Sequence, residues 1–331
     1  SHGSGGKASQ RLIGKIFKKY FSNTILDRLE DSALLPKKNN GIVFTTDSYV
    51  VSPVFFPGGD IGKLAISGTV NDLTAMGAIP KYLSISFILE EGFALSDLER
   101  ICGSIKKTCK ESNVKIVTGD TKVVEKGSAD KIFITTSGIG FRNPKNNISI
   151  YNVKVNDSII INGSIGDHGL AILNARQDMK FTGKISSDCA PLNNMIQACL
   201  DRGCKIHAMR DATRGGLATV LNEIAEASGL GIEVDENKIP ISKPVHSFCE
   251  ILGLDPLYLA NEGKMVIFAA KEDTEKCLKI LKSHKYGRHA SIIGKVTERH
   301  EVLKHGVLLK TSIGGKRPLI TLEGDQLPRI C

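Results

Sequence analysis

The chain has 331 residues, of which 41% are hydrophobic and 24% charged, a balance that is typical of globular proteins and excludes a disordered chain. Its net charge of +9 is spread over scattered lysines, with 5% aromatic residues and no arginine-rich run. This pattern disfavours a nucleic-acid partner but leaves room for an anionic small molecule such as a nucleotide. No apolar stretch is long enough to span a membrane and no segment resembles a secretion signal, so we expect a cytoplasmic protein without a membrane partner.

The first half of the chain alternates strand-like and helix-like patterns. β-Branched runs bounded by glycine or polar residues predict strands over 42–46, 82–89, 114–118 and 131–140. Apolar residues at helical spacing predict helices over 60–77 and 96–112. Pro144 and two asparagines make 142–147 a turn or linker.

A second series of strands and helices follows. Its predicted strands are 158–162, 205–209, 265–269 and 290–296, and its predicted helices are 169–175, 192–202, 215–227, 243–252 and 272–284. We infer an α/β (α+β) protein with mixed sheets packed against helices, in two domains at 1–150 and 151–313.

The stretch 314–331 breaks this pattern, with three glycines, two prolines and no helical period. It predicts a flexible, extended tail that carries Cys331, and seventeen extended residues span at most about 55 Å. None of the eight cysteines forms a C-x-x-C pair, so a zinc knuckle is disfavoured and the seven internal cysteines are expected to be reduced. Cys331, the last residue of the sequence, is either incidental or a thiol carrier on a tether.

The predicted helix at 60–77 bears one narrow polar stripe, made of Asp60, Lys63, Ser67, Asn71 and Thr74. Such a helix is largely buried and presents only this stripe to a cavity or to solvent. Asp72 falls among the apolar positions, where an unpaired carboxylate is costly. It therefore needs a strong partner, either a metal, a lysine or a backbone cap.

Two further acids follow apolar strands: Asp47 in TTDSY, and Asp120 in VTGDTKV, where Gly119 precedes it and Lys122 follows. Acids at strand ends gather magnesium and phosphate ligands in α/β proteins. Turns also favour aspartate, so one such residue means little by itself. Together with Asp60 and Asp72, however, the two predict a magnesium–nucleotide site.

Two glycine-rich loops in the second half join strands to helices. They are NGSIGDHG at 162–169, with Asp167 and His168, and RDATRGG at 210–216, with Asp211 and Thr213. Backbone N–H groups at such helix starts bind phosphate. Neither loop matches the P-loop or the dinucleotide fingerprint. Each alone is equally compatible with a plain turn, capped by Thr213 in one case and holding a hydrogen-bonded His168 in the other.

Several segments together resemble one family. They are HGSGGK near the start, TTDSYVVSPVFFPGGDIGKLA, NDLTAMGAIP, SISFILEEG, IVTGDTKVV, GDHG, RDATRGG, NEGK and the terminal LPRIC. In this order they resemble the HypE family of hydrogenase maturation factors from residue 2 to residue 331. The GDHG and RDATRGG loops are shared more widely with aminoimidazole ribonucleotide synthetase, selenophosphate synthetase and thiamine-monophosphate kinase. The resemblance implies a two-domain synthetase-like fold.

The resemblance also implies an activity, an ATP-dependent carbamoyl dehydratase. A carbamoyltransferase, HypF, would load a carbamoyl group onto the Cys331 thiol, and ATP would phosphorylate the carboxamide oxygen. Loss of phosphate and of the amide protons would leave a thiocyanate, whose cyano group passes to iron on a HypC–HypD complex. The product serves the iron centre of [NiFe] hydrogenase. A homodimer that pairs through the first domains is implied as well, with ATP near the subunit interface.

The family pattern assigns roles to residues of this chain. By resemblance, Asp47, Asp60, Asp72 and Asp120 hold Mg²⁺ and ATP, and Lys122 orients or stabilises the activated oxygen. Glu262, in NEGK, would be the base that removes the amide protons, although by itself it is equally a surface acid before Gly263. The remaining candidate nucleotide-binding residues are Lys63, Asn71, Gly119, Asp167, His168, Asp211 and Thr213.

Other functions stay open at this point. Another synthetase of the superfamily would make a phosphorylated small molecule, although residues 1–20 hold no cysteine for selenophosphate chemistry. A non-catalytic carrier would ferry a thiol-bound group without hydrolysing ATP. A redox thiol protein would need a resolving cysteine near the tail.

Overall fold

The structure of the protein is a computed structural model. It contains two mixed sheets, one built from each half of the chain. It describes residues 22–35, 41–177, 185–299 and 306–322, together with Arg11, Lys15, Tyr20, Leu327, Ile330 and Cys331. The HGSGGK motif at 2–7 lies outside the described residues, and so do Pro328 and Arg329 of the terminal LPRIC. In the described part of the chain, no helix has both the length and the apolar character to cross a membrane.

The first sheet has five strands in the order β1-β2-β7-β5-β6. They are β1 (Ala33–Leu35), β2 (Gly41–Tyr49), β5 (Ala78–Glu90), β6 (Lys115–Val124) and β7 (Ile132–Arg142), and a small hairpin pairs β3 (Phe55–Phe56) with β4 (Gly59–Asp60). Only the β5–β6 pair is parallel. Strand β6 is an edge strand that is exposed along nearly its whole length.

Side chains alternate between the two faces of this sheet, as the period of two in a strand requires. Buried residues of β2 and β7, such as Val43 and Ile134, face helix α1 (Ile61–Ala75), and α2 (Leu95–Ser112) packs beside α1. On the opposite face, Phe44, Tyr82 and Ile139 are exposed. An exposed apolar sheet face is a candidate interaction surface.

The second sheet has seven strands in the order β14-β13-β10-β12-β8-β11-β9. Its strands are β8 (Ser158–Ile161), β9 (Ile206–Asp211), β10 (Gly231–Asp235), β11 (Met265–Ala269), β12 (Ser291–Thr297), β13 (Val307–Lys310) and β14 (Lys316–Pro318). Only β10 and β13 pair in parallel. Its helices are α3 (Asp167–Gln177), α4 (Asn193–Asp201), α5 (Gly216–Ser228), α6 (Lys243–Leu252) and α7 (Thr274–Ser283).

Helix α1 joins the two halves. All of its residues except Lys63 and Asp72 are buried. One apolar cluster contains Leu64 of α1, Leu170 of α3 and Val245 of α6, and the same cluster includes Ile330 and Cys331. The end of the chain is therefore packed into the core between the two halves.

The predicted elements are confirmed with shifts of a few residues at most ends, except that two strands run several residues beyond their predicted ends: β5 begins at Ala78 and β6 continues to Val124. The sequence patterns missed β1, β10, β13 and β14 among the described elements. The last strand of the first sheet ends at Arg142 and the next strand begins at Ser158, on either side of the boundary predicted near residue 150. Strand β14 extends the second sheet into the stretch assigned to a flexible tail, and Leu319 beyond it is fully buried.

Candidate active site

The thiol of Cys331 lies inside the protein. It is 7% exposed, and its Sγ accepts a hydrogen bond from Nε of Arg214 at 2.7 Å. A second Arg214 nitrogen donates to the main-chain oxygen of Cys331 at 3.4 Å. The sequence predicts a tail that reaches an active site, and the structure places its tip between the two halves of the chain.

His168, in the first turn of α3, holds Ile330, the residue before Cys331. Its Nε2 lies 2.7 Å from the carbonyl oxygen of Ile330, and its Nδ1 lies 2.7 Å from the Ser187 hydroxyl. Because a carbonyl only accepts, Nε2 carries the proton and Nδ1 accepts from Ser187. Burial lowers the pKa of His168, so the ring is neutral near pH 7. The Phe56 ring packs edge-on against it, with centroids 5.5 Å apart.

Arg214 is positioned by the start of α5. Gly215 and Gly216 follow it with φ of 74° and 62°, in the left-handed region that favours glycine. A Cβ on Gly216 would lie 2.6 Å from the carbonyl oxygens of Leu257 and Leu259. The glycine pair thus lets the RDATRGG loop approach the neighbouring backbone, which brings the arginine to the thiol.

Glu262 lies close enough to the thiol that its charge contributes to raising the pKa of Cys331. Its side chain is 3% exposed, and its Oε1 has no hydrogen-bond partner among the described residues. Burial raises the pKa of Glu262 well above the ordinary value, and the charges of Asp211, Asp188 and Asp47 raise it further. Glu262 is therefore a buried acid whose ionised form is a strong base.

Asp188 fixes the loop that carries Glu262. It accepts hydrogen bonds from the backbone N–H groups of Glu262 and Gly263 at 3.1 and 3.2 Å, and Nζ of Lys264 lies 2.7 Å from its Oδ2. Although burial opposes the shift, Lys264 holds the pKa of Asp188 below its ordinary value, so this ion pair stays charged. The side chain of Asn261 ties the same loop to both glycine loops, accepting from Gly166 N and donating to Ala212 O, each at 2.8 Å.

Three more acids line the same region. Burial raises the pKa of Asp47, of Asp72 and of Asp211, the last to about 8. The charges of Asp47 and Asp211 raise the pKa of Asp72 further, and the charge of Asp47 also raises the pKa of Asp211. The Thr45 hydroxyl donates to Asp72 at 3.0 Å, so the strong partner expected for Asp72 is a hydroxyl. Asp47 lies within β2 rather than at a strand end. Mutual repulsion among buried carboxylates creates a place where a cation is favoured.

The thiol itself is held neutral. Burial raises the pKa of Cys331 to about 12, Glu262 raises it as well, and Arg214 offsets part of the rise. From the sequence alone, the terminal carboxylate of Cys331 predicts a raised thiol pKa and hence an unreactive thiol, with Arg329 as a partial offset. The structure gives burial as the cause and Arg214 as the offset, and Arg329 lies outside the described residues.

Several predicted ligands make other contacts within this chain. Asp60 caps α1, accepting from Gly62 N and Lys63 N at 2.8 and 3.0 Å. Asp120 lies in the middle of the exposed strand β6, where its carboxylate pairs with Lys122 at 2.9 Å. The four predicted magnesium ligands are therefore not brought together in one chain. Within the described ranges, no group of three or more His, Cys, Asp or Glu side chains is arranged to hold a metal ion.

The polar stripe of α1 is also not open to a cavity. Asn71 accepts from Leu192 N at 2.8 Å and donates to Ala190 O at 3.1 Å, which ties α1 to the second half. Lys63 donates to Gly58 O at 2.8 Å. Gly119 is needed for strand pairing, since a Cβ there would lie 2.5 Å from Ile85 O.

The loop residues are divided between different surroundings. Asp167 begins α3 and accepts from Ser242 at 3.3 Å, and burial raises its pKa to about 6. Thr213 does not cap α5: Gly215 occupies that position, and the Thr213 carbonyl accepts from Gly216 N. Of the predicted nucleotide-binding residues, His168 is in direct contact with the tail. The charge of Asp211 raises the pKa of Glu262.

Sequence reasoning missed Arg214, Asp188 and Lys264. Arg214 lies in the RDATRGG loop between a threonine and two glycines. A charged side chain next to a backbone that requires glycine was the signal that could have indicated a functional residue. Lys264 is likewise a charged residue next to a glycine, at the end of the NEGK motif. Nothing in the local sequence around Asp188 indicates that it meets a loop more than seventy residues away.

The fold and site define a class of proteins. Residues 29–141 match the N-terminal domain of AIR synthase related proteins, and residues 154–305 match the C-terminal domain. The chain is 50% identical to a putative hydrogenase expression/formation protein of Methanocaldococcus jannaschii, covering 100% of this chain and 98% of that protein. It is 46% identical to carbamoyl dehydratase HypE of Azotobacter vinelandii, covering 100% of this chain and 96% of that protein.

Solved structures agree. A HypE–HypF complex contains a chain that is 48% identical, with a TM-score of 0.89 over 94% of this chain and 99% of that one. A hydrogenase maturation protein HypE in complex with ATP is 47% identical, with a TM-score of 0.85 over 100% of this chain and 98% of that one. The chain belongs to the HypE family of carbamoyl dehydratases, which are hydrogenase maturation proteins.

Proposed function

We propose that the protein dehydrates a carbamoyl group carried on Cys331 to a thiocyanate, at the expense of ATP, and so supplies cyanide ligands for the iron of [NiFe] hydrogenase. The observation that carries this proposal is the docked thiol of Cys331, buried beside Glu262, whose Oε1 has no hydrogen-bond partner among the described residues. A relative named carbamoyl dehydratase and a neighbour solved with ATP support it.

The proposed reaction balances as Cys–S–C(=O)–NH₂ + ATP → Cys–S–C≡N + ADP + phosphate. The amide oxygen attacks the γ-phosphorus, which turns a poor leaving group into phosphate. Two protons leave the nitrogen and the C–O bond breaks, so that the carbon–nitrogen bond becomes triple. The chain must therefore supply a proton acceptor near the sulfur and must exclude water, which would otherwise take the phosphoryl group.

Glu262 fits the role of proton acceptor. A carboxylate with an ordinary pKa is a weak base towards an amide, and a raised pKa makes the transfer more favourable. Burial and neighbouring acids supply that rise without a hydrogen bond that would occupy Oε1. The burial of Cys331 and Glu262 also keeps bulk water from the reacting group.

The acids Asp47 and Asp72 suit a divalent cation that arrives with ATP. Mg²⁺ is commonly held by one or two carboxylates plus the phosphates of the nucleotide, so a complete protein cage is not needed. Burial raises the pKa of both acids, and the charge of Asp47 raises the pKa of Asp72 further, a repulsion that a bound cation would relieve. Bound there, Mg²⁺ would neutralise phosphate charge during phosphoryl transfer.

Lys122 and Asp120 enter the proposal through a homodimer. In one chain they lie on the exposed edge strand β6, where Val117 and Val123 are 60% and 67% exposed. An unpaired strand edge beside an exposed apolar sheet face favours association with a second copy. Such a dimer would bring Lys122 of one copy towards the acids of the other, which accounts for its role in stabilising the activated oxygen.

The thiol needs partners before and after the reaction. We infer that a carbamoyltransferase of the HypF type loads Cys331, since a neighbour was solved as a HypE–HypF complex. An iron-carrying HypC–HypD complex would accept the cyano group. Because the docked thiol is buried, loading and delivery require the tail to leave its docked position.

The test follows the intact mass of the protein, incubated with its carbamoyltransferase and carbamoyl phosphate, before and after Mg·ATP. A Cys331→Ala variant is the control. An adduct on Cys331 that loses one water only with Mg·ATP is the expected result. A loaded thiol that never loses water would leave a non-catalytic carrier, and the absence of any adduct would favour another synthetase activity of the superfamily.

A further inference from the structure

The tail is held at two successive residues by two different side chains. His168 binds the carbonyl oxygen of Ile330, a group that every residue possesses. Arg214 binds the sulfur of Cys331 at 2.7 Å and the main-chain oxygen of the same residue at 3.4 Å. The contact of Arg214 therefore depends on the identity and exact placement of the cysteine, whereas that of His168 does not.

The guanidinium group suits this double contact. Its donors are fixed in a planar fork, so one side chain can meet two acceptors at once, which the single ammonium of lysine does less well. The backbone after Arg214 is itself held in place, because Gly216 packs against residues 257–259. The fork thus projects from a rigid point of the fold.

Charge gives a second reason for an arginine here. Cys331 lies among carboxylates. Of these, Glu262 raises the pKa of the thiol most, and Asp47 raises it as well. Arg214 is the cation that acts on this sulfur, and it interacts with the same two acids. Without it, an electron-rich sulfur would be buried in a negative environment, which disfavours docking.

We propose that Arg214 is a positioning residue, which anchors the sulfur of Cys331 in the core and thereby presents the group on that sulfur to Glu262. The presentation step rests on the proposed dehydratase function, but the anchoring of the free thiol does not. Loss of the fork should free the tail without impairing its loading, and it should slow the chemistry that follows.

The first measurement uses the free full-length protein and does not depend on carbamoyl chemistry. Iodoacetamide labelling is followed at each cysteine by peptide mass spectrometry, with the exposed Cys102 as an internal reference. Cys331 of the unaltered protein should react about tenfold more slowly than Cys102. Arg214→Gln should raise the rate at Cys331 about tenfold and leave Cys102 unchanged. Arg214→Lys, which keeps the charge, should give an intermediate rate.

The second measurement uses the loaded protein. Arg214→Gln should take up the carbamoyl group at least as fast as the unaltered protein, then lose water at least about tenfold more slowly with Mg·ATP at an unchanged KM for ATP. The matched control is Arg317→Gln in β14, which removes the same charge from an exposed pair with Asp255. It should match the unaltered protein in both measurements.

The outcomes separate the two proposals. If Arg214→Gln behaves as Arg317→Gln does in labelling and in water loss, Arg214 is not an anchor. Faster labelling with unchanged water loss refutes the positioning role, and so does labelling of Cys331 that already equals Cys102 in the unaltered protein. If the unaltered protein loads but never loses water, the dehydratase proposal fails, while the labelling result still decides whether Arg214 anchors the thiol.

Discussion

The substitution Glu262→Gln tests two effects of the buried carboxyl of Glu262. The carboxylate supports the dehydration activity, and its burial lowers the free energy of unfolding as pH rises. The change keeps the shape of the side chain and removes its ability to ionise. Loss of a general base slows proton transfer by about 100- to 10,000-fold, so water loss from the loaded thiol should fall into that range. Loading of Cys331 should persist, because it happens with the tail away from Glu262.

The effect on stability follows from the raised pKa. Burial and the neighbouring acids favour the neutral carboxyl of Glu262 in the folded protein. The stability that this protonated form provides is full below the pKa of the unfolded chain, and it is lost as pH rises towards the folded pKa, by about 1.4 kcal/mol for each pH unit in between. The glutamine variant has no such loss, so its stability relative to the unaltered protein should increase with pH.

The assay is the free energy of urea unfolding at several values between about pH 5 and about pH 8. The control is Glu250→Gln on α6, whose exposed carboxyl lies within 3.5 Å of the exposed His246. Its difference from the unaltered protein should change little over the same range. A Glu262→Gln variant whose relative stability is flat with pH, or which still dehydrates the loaded thiol at the normal rate, would refute this account of the site.

Three further predictions concern the surroundings of the site. Asp188→Asn leaves the buried ammonium of Lys264 without its partner, and it should lower the free energy of urea unfolding by about 3–5 kcal/mol. His168→Phe keeps an aromatic ring in the core but loses the bond to the tail, so iodoacetamide labelling of Cys331 should accelerate several-fold, about fivefold or more. Val117→Glu combined with Val123→Glu places like charges on the exposed edge strand β6, and sedimentation should then report monomers at an unchanged circular dichroism spectrum.

Two of these predictions have a control variant, and each has an outcome that would contradict it. Glu272→Gln breaks an exposed pair with Lys205 and should change the free energy of unfolding little, so an equally small loss for Asp188→Asn would contradict the buried-pair argument. Unchanged labelling in His168→Phe would mean that the tail is held without that bond. Ile313→Glu changes a side chain that is 94% exposed on the second half and should not alter the sedimentation, and neither should the β6 variant if the dimer uses another surface.

The sequence by itself determined most of the secondary structure of this protein. Periodicity of two and of 3.6 residues located helices such as Lys243–Leu252 and strands such as Met265–Ala269, because burial of one face imposes those periods. It missed β13 and β14, and it missed β10 although that strand is as long as Met265–Ala269; β14 consists of three exposed residues, which show no alternation. The motifs of the family, read from residue 2 to residue 331, indicated the class of enzyme before any contact was known.

The tertiary structure alone decided which of the marked residues act together. Asp120 follows an apolar strand as Asp47 does, yet it pairs with Lys122 on an exposed strand, and Asp60 of the polar stripe caps a helix. Arg214 and Asp188 become important only because distant segments meet at the buried Cys331 and Glu262. Local sequence reports the conformation and burial of a residue, whereas a site depends on contacts between segments far apart in the chain, and these are set by how the two sheets pack around α1.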